Sequence, residues 1–277
     1  MSERTEEELA QAAGQGDRAA LEELVAHIQT RLYNLAVRML WHPEDAEDAT
    51  QEILLKIVTH LGTFRGESLF STWCWRIATN HLLTTRKRRA EQQALSLTQF
   101  AADLDQGLGD DAFTVPDDVD RRLLEEEVKV GCMQGMLLCL TREERATYIV
   151  GEFFEVTDKE GAEIFAISPD AYRKRLSRVR QTIRTFMTRT CGLVTSTNPC
   201  RCSRQVQTAI ANGRLDPTHL LFASSGADSL VARGIAQMDS LNRIGGLFRS
   251  HPMYQAPGTL LQAVRDLLES GRVSFLN

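Results

Sequence analysis

The chain has 277 residues, 43% of them hydrophobic and 25% charged, the usual globular mix, with room for two or three small domains at roughly 100–200 residues each. Aromatics at 6% and the lack of alternating β-branched runs turn the reading away from an all-β fold and toward helices. The formal net charge of −5 hides a segregation: Met1 to Thr63 carries 5 Lys/Arg against 12 Asp/Glu, Phe64 to Arg89 carries 6 against 1, and Thr157 to Thr190 carries 8 against 4. Two basic islands in an acidic chain suit phosphate neutralisation on nucleic acid, although solvated helix faces would give the same composition.

No run approaches the ~20 apolar residues that cross a bilayer, and the N-terminus is acidic, so the chain is expected in the cytoplasm with no membrane insertion. Leu21, Leu24, Val25, Ile28, Leu32, Leu35 and Met39 recur at spacings of three and four and predict a long helix with one apolar stripe. His42 and Pro43 interrupt it. A second helix, Asp45 to His60, pairs an apolar stripe (Ala46, Ala49, Ile53, Ile57) with an acidic and polar start: Asp45, Glu47, Asp48, Gln51 and Glu52. That end is left for water or a basic partner.

Gly62 to Ser71 reads as a polar loop, and Trp73 to Arg89 as a helix that opens aromatic and closes on the basic run Arg86-Lys87-Arg88-Arg89. Cations at a helix C-terminus also complement the macrodipole, which is the plain structural account of that run. Ala90 to Asp120 lacks sustained periodicity and reads as a flexible acidic linker; Ala90 to Glu127 carries 11 acidic residues against 2 basic. Helical patterning resumes at Arg121 to Leu140. Thr141 with Glu144 and Thr157 with Glu160 fit capping boxes opening the next two helices. After the turn at Ala166 to Ser168, Ser168 as N-cap and Pro169 at the first position start a helix to about Met187. Its apolar face is Ala171, Tyr172, Leu176, Val179 and Ile183; Arg173, Lys174, Arg175, Arg178 and Arg180 populate the rest. Short helix, turn and basic second helix make a helix-turn-helix suited to the major groove.

Three segments in order, "DAEDATQE" (45–52), "FRGESLFSTWCWRIATNHLLTTRKRR" (64–89) and "TDKEGAEIFAISPDAYRKRLSRVRQTI" (157–183), resemble bacterial RNA polymerase sigma factors of the extracytoplasmic-function (ECF) group. The resemblance covers about residues 10–190. It implies an all-α protein: sigma region 2 over 1–90, an acidic linker over 91–120, and a helix-turn-helix region 4 over 121–190. It also implies that Asp45, Glu47, Asp48, Gln51 and Glu52 dock on the clamp helices of the polymerase's largest subunit, with the flap of the second-largest subunit as a further contact. Phe64, Arg65, Ser71, Trp73, Trp75, Arg76 and Asn80 would serve the −10 element, where a base is flipped out and captured. Arg86, Lys87, Arg88 and Arg89 would hold phosphates just upstream. At the −35 element the candidates are Ser168, Asp170, Arg173, Lys174, Arg175, Arg178 and Arg180. Core aromatics remain the plain reading of one or both of Trp73 and Trp75, and phosphate or water contact that of Arg180. The chain departs from the family pattern at Gly161, where a large apolar residue is usual, and at Ala166, where the turn usually has Gly.

Beyond Thr190 the chain continues as a further segment, 191–277, read as a small helical C-terminal domain with a regulatory role of the kind a separate anti-sigma protein otherwise takes. Its apolar stripes, including Leu230 to Leu247 and Leu260 to Leu268, either form an independent domain or pack on the two promoter-reading domains. Helices are also expected at Gln205 to Asn212 and from Asp216-Pro217. Cys191, Cys200 and Cys202 lie close in sequence; a zinc site completed by His219 or His251, a redox-sensitive cluster and plain reduced thiols all stay open. No other cofactor is implied. No Gly-rich phosphate loop, nucleophile elbow or metal-hydrolase motif is found, so the expectation is a transcription initiation factor, not an enzyme, acting on core polymerase and promoter DNA. The alternative is a polymerase-independent helix-turn-helix regulator whose C-terminal domain senses a ligand or dimerises.

Overall fold

The computed structural model describes residues 4–85, 96–109, 120–223 and 240–269. Among them the regular elements are helical, apart from an isolated parallel bridge between Cys191 and Cys200. In chain order the α-helices are α1 (Glu6–Gly14), α2 (Arg18–Leu40), α3 (Pro43–His60), α4 (Phe70–Thr84), α5 (Leu97–Gln106) and α6 (Arg121–Leu138). They continue with α7 (Arg142–Tyr148), α8 (Asp158–Phe165), α9 (Pro169–Thr190), α10 (Cys202–Ala211), α11 (Ser240–Arg249) and α12 (Gly258–Glu269). A 3-10 turn, Leu61–Thr63, follows α3, and a π-helical turn, Ile149–Phe153, follows α7.

The chain divides into two compact units, one from Met1–Gln92, Val156–Arg173 and Tyr254–Asn277, the other from Gln93–Glu155 and Lys174–Met253. In the first, α2 packs on α1 and α3, α3 on α4, and α4 on α8. The apolar stripe expected on α2 is its buried face, with Leu21, Leu24, Val25, Ile28, Leu32, Leu35 and Met39 at 2% exposure or less. Trp41 takes a left-handed conformation (φ 52°) that closes α2, and Pro43 opens α3 two residues later at a first-turn position where its missing N–H costs nothing. In the second unit α10 packs on α6 around Leu124, Val128, Val206 and Leu215, and α11 packs on the π-helical turn. Among the described residues of the extension, α10 and α11 pack on helices of residues 121–153, and α12 on α2 and α3.

The capping boxes form as their residues dictate. Thr141 and Thr157 accept from the N–H of Glu144 and Glu160, whose carboxylates accept the cap N–H in return at 3.1 and 2.7 Å. One more box closes at Ser96 and Gln99 and starts α5, inside the stretch read as flexible linker. Only Phe100 and Leu104 bury from that helix, Phe100 stacking on Phe186 at 5.8 Å. Two apolar residues one turn apart are too sparse to stand out as a period.

A second difference lies at 216–223, expected to be helical. Asp216 accepts from the N–H and hydroxyl of Thr218 at 2.9 and 2.7 Å, bending the chain, and the Glu127 carboxylate accepts from the N–H groups of Leu221, Phe222 and Ala223 at 3.0, 3.0 and 2.6 Å. Those donors go to a buried side chain from α6 instead of to helical carbonyls, a competition that local pattern does not show. The longer helix expected over Leu230 to Leu247 is α11 in its described part; Leu230, Ile235 and Met238 lie outside the described residues.

Of the two family departures, one has a structural reason and the other carries backbone strain. A Cβ on Gly161 would stand 2.2 Å from the Tyr172 ring, so the ring occupies the volume a large residue would fill. Ala166, which closes α8, holds φ at 52°. Left-handed backbone costs an L-residue with a Cβ roughly 1–2 kcal/mol, so Ala166→Gly is expected to stabilise the protein by about 0.5–1 kcal/mol, read as a raised melting temperature. Glu127→Ala should do the reverse: three N–H groups lose a charged acceptor, at a cost of about 2–3 kcal/mol, and limited proteolysis should then cut near residues 215–223 first.

Candidate nucleic-acid interface

On α3 the face opposite the core carries the acidic candidates. Glu44, Asp48, Gln51 and Glu52 are exposed, at helical spacings that place them on one outward surface, while Asp45 and Glu47 are half-buried at its edge. Glu52 is also 3.6 Å from His81 of α4, whose Nδ1 sits 2.7 Å from the Lys56 ammonium. The two helices are thus tied by polar contacts beside the acidic face.

The loop from α3 to α4 turns at Gly66 (φ 70°), where a side chain would be strained. Phe64 packs on Phe70 at 5.2 Å and on Trp73 at 5.6 Å, a cluster anchored by the fully buried Phe70. Around it opens a cavity of about 790 Å³ whose lining includes Phe64, Arg65, Ser68, Trp73 and Arg76 from the loop and α4. An aromatic floor, hydroxyls and two guanidinium groups at the mouth are the chemistry that stacks and hydrogen-bonds an unpaired base. Trp75 is instead buried in the helical core at 6% exposure and takes no part in this lining; Ser71 is half-buried, and Asn80 is exposed one turn beyond Arg76. The opposite wall is α8 and its turn, with Lys159, Glu163 and Ile167. Nothing local in sequence signals that wall, since it comes from nearly a hundred residues away. Arg86, Lys87, Arg88 and Arg89 lie outside the described residues.

Ser168 caps α9, its hydroxyl accepting from the Ala171 N–H at 3.2 Å, and Tyr172, Leu176, Val179 and Ile183 turn inward at 4% exposure or less. Asp170, Arg173, Lys174, Arg178 and Arg180 are exposed. Arg173 pairs with Asp170 and, at 3.8 Å, with Asp158; such exposed pairs are worth about 0–1 kcal/mol and yield readily to a phosphate or a base edge. Arg175 is half-buried, 3.7 Å from Glu143. Arg180 is held differently: it pairs with Glu152, a carboxylate only 7% exposed that also takes Arg249 of α11 at 3.2 Å.

The late cysteines gain a fourth neighbour. Cys132 of α6 joins Cys191, Cys200 and Cys202 in lining one apolar cavity of about 30 Å³ with Leu104 and Phe186. Burial pushes all four thiols up, Cys202 to about 12, and neighbouring thiols raise Cys132, Cys200 and Cys202 further. Among the described residues no group of three or more His, Cys, Asp or Glu side chains is arranged to hold a metal ion, and His251 lies instead against the Phe153 ring at 5.8 Å. Since the thiolate is the reactive form, Cys202 should alkylate at pH 8 at least about tenfold more slowly in the folded chain than in denaturant, measured by mass spectrometry of the labelled peptide.

The Sigma-70 region 2 family matches residues 24–92, which span α3, the loop and α4. The RNA polymerase sigma-H factor of Pseudomonas aeruginosa is 27% identical over 186 residues, 66% of this chain and 94% of that protein. RNA polymerase sigma factor YlaC of Bacillus subtilis is 26% identical over 172 residues, 62% of this chain and 94% of the relative. ECF RNA polymerase sigma factor SigW of the same organism is 29% identical over 174 residues, 61% and 89% of the two chains. The helical fold, the outward acidic helix and the aromatic cavity accord with these relatives: the chain carries a Sigma-70 region 2 match and is similar to RNA polymerase sigma factors of the ECF group. It is a transcription initiation factor, and a polymerase-independent regulator is not favoured. No helix among the described residues is long and apolar enough to cross a membrane.

Proposed function

We propose that the chain divides the work of promoter recognition between four segments: region 2 over residues 1–90, a linker over 91–120, region 4 over 121–190 and a regulatory extension over 191–277. The observation that carries this reading is the region 2 match over residues 24–92, which falls on the outward acidic face of α3 and the aromatic loop together. Asp48, Gln51 and Glu52, with Asp45 and Glu47 at the edge, dock on basic clamp helices of the largest polymerase subunit, and region 4 meets the flap of the second-largest. The protein works in the cytoplasm, where core polymerase and promoter meet, and a separate anti-sigma protein remains a further partner of the same surfaces.

Phe64, Arg65, Trp73 and Arg76 form the −10 pocket, with Ser71 and Asn80 beside it and Trp75 supporting from the core. Extruding a base costs a few kcal/mol, which stacking at about 1–3 kcal/mol per base and edge hydrogen bonds offset. The Arg86 to Arg89 run grips the phosphates upstream. At the −35 element α9 enters the major groove with Ser168 and Asp170 at its start and Arg173, Lys174 and Arg178 toward the bases; Arg175 and Arg180 are the more restrained of the set. A bidentate Arg–guanine contact contributes about 1–3 kcal/mol of discrimination.

The test is in vitro transcription from pooled genomic fragments with purified core polymerase. Specific transcripts are expected from the wild-type chain, and none from Asp48→Lys with Glu52→Lys, which should lose polymerase binding in a pull-down. Arg178→Ala should weaken −35 selectivity about tenfold or more, and Arg180→Ala much less, because Glu152 already holds that guanidinium. Polymerase binding that survives the two charge reversals would overturn the role given to α3.

A further inference from the structure

Within the first unit the last described helix, α12, lies on α2 and α3, the helices that build the acidic face. Leu260, Val264 and Leu268 bury its inner stripe at 1%, 0% and 5% exposure. Ahead of it, Tyr254 is pinned to α2 in both directions: its N–H donates to Asn34 Oδ1 at 2.9 Å, and Asn34 Nδ2 donates to its carbonyl at 2.7 Å. The Tyr254 ring covers the guanidinium of Arg38, 5.4 Å from the ring centroid, leaving that side chain 1% exposed. Arg38 in turn donates to the Asn34 side chain at 2.7 Å. Polar contacts on the rim set the register. Arg265 pairs with Glu22 at 2.8 Å, and the Thr259 hydroxyl donates to Glu47, one of the acidic docking candidates.

Two features of this contact bear on polymerase. The helix engages Glu47 through Thr259, whereas Glu44, Asp48, Gln51 and Glu52 stand exposed, so it takes one edge of the acidic face and leaves the rest open. It also sets the cation Arg265 beside α2, in the neighbourhood a basic partner would approach, where like charges repel. We infer that residues 254–269 are a built-in competitor for core polymerase: docked, they occupy Glu47 and the adjoining α2 surface, and polymerase binds fully only when they leave. The inference rests on the docking role given to α3 above. It assigns to one helix a task that the sequence left to the extension as a whole, and it fixes the sign of control as inhibitory.

If docking and polymerase exclude each other, the apparent affinity of the full chain is its open-state affinity scaled by the open fraction. The experiment measures the affinity of full-length protein for core polymerase, with hydrogen exchange of residues 254–269 as a separate readout of docking. Val264→Asp should lose exchange protection over α12 and bind core at least about tenfold more tightly. Arg265→Glu, a milder change that keeps the apolar stripe, should tighten binding about two- to fivefold, and adding Glu22→Arg should return it toward wild type. That rescue distinguishes a latch from a merely structural helix, and it decides the question if Val264→Asp does not fold. Loss of protection with unchanged or weaker polymerase binding, while Asp48→Lys with Glu52→Lys still abolishes binding, would overturn the competitor and spare the docking role. Wild-type binding by the two charge reversals would overturn both.

Discussion

One constraint organises the first unit: the apolar stripe of α2 must be buried, and α1 and α3 bury it, with α4 packed on α3. Once Ala46, Ala49, Ile53 and Ile57 of α3 turn inward against that stripe, the residues between them turn outward, and these are Glu44, Asp48, Gln51 and Glu52. At 3.6 residues per turn the acidic surface is the reverse side of the core contact. The short loop at Gly66 then delivers Phe70 into the same core, which sets Phe64 and Trp73 over it as the floor of the aromatic cavity. The acidic face and the aromatic cavity stand at opposite ends of one packed helix pair.

The same economy holds along α9, whose start belongs to the first unit and whose remainder belongs to the second. Its apolar face is buried at every turn from Tyr172 to Ile183, and the basic residues follow on the remaining surface because nothing else is left for them. What distinguishes those cations is their neighbours. An exposed pair such as Arg173 with Asp170 is a weak restraint, while Arg180 faces a carboxylate shut away from water, whose own desolvation makes it hold its partners. The same carboxylate holds Arg249, so a residue of the extension shares an anchor with the recognition helix.

Segments of the extension are embedded rather than appended. Glu127 supplies the acceptor for three consecutive N–H groups near residue 222, and Tyr254 closes over Arg38, which burial brings down to about 10, still a cation at neutral pH. A buried cation that has shed its water depends on the groups covering it. Truncation after Thr190 therefore alters the remaining units.

The helices of residues 18–84 and 157–190 were legible in the sequence, because spacing of apolar residues, capping boxes and prolines are local signals and the burial they imply is what folding delivers. The acidic face of α3, the aromatic loop and the basic side of α9 were legible for the same reason. The α5 helix was not, since two apolar residues and a cap make no period, and the 216–223 segment was misread because its N–H groups answer to Glu127, far back in the chain. The sequence by itself determined which surfaces each helix offers. Only the tertiary structure decided what meets them: α8 walling the aromatic pocket, Cys132 joining the late thiols, and α12 on Glu47. Those are contacts between residues separated by roughly 60 to 210 positions, and they arise from shape and desolvation in three dimensions, to which no local pattern corresponds.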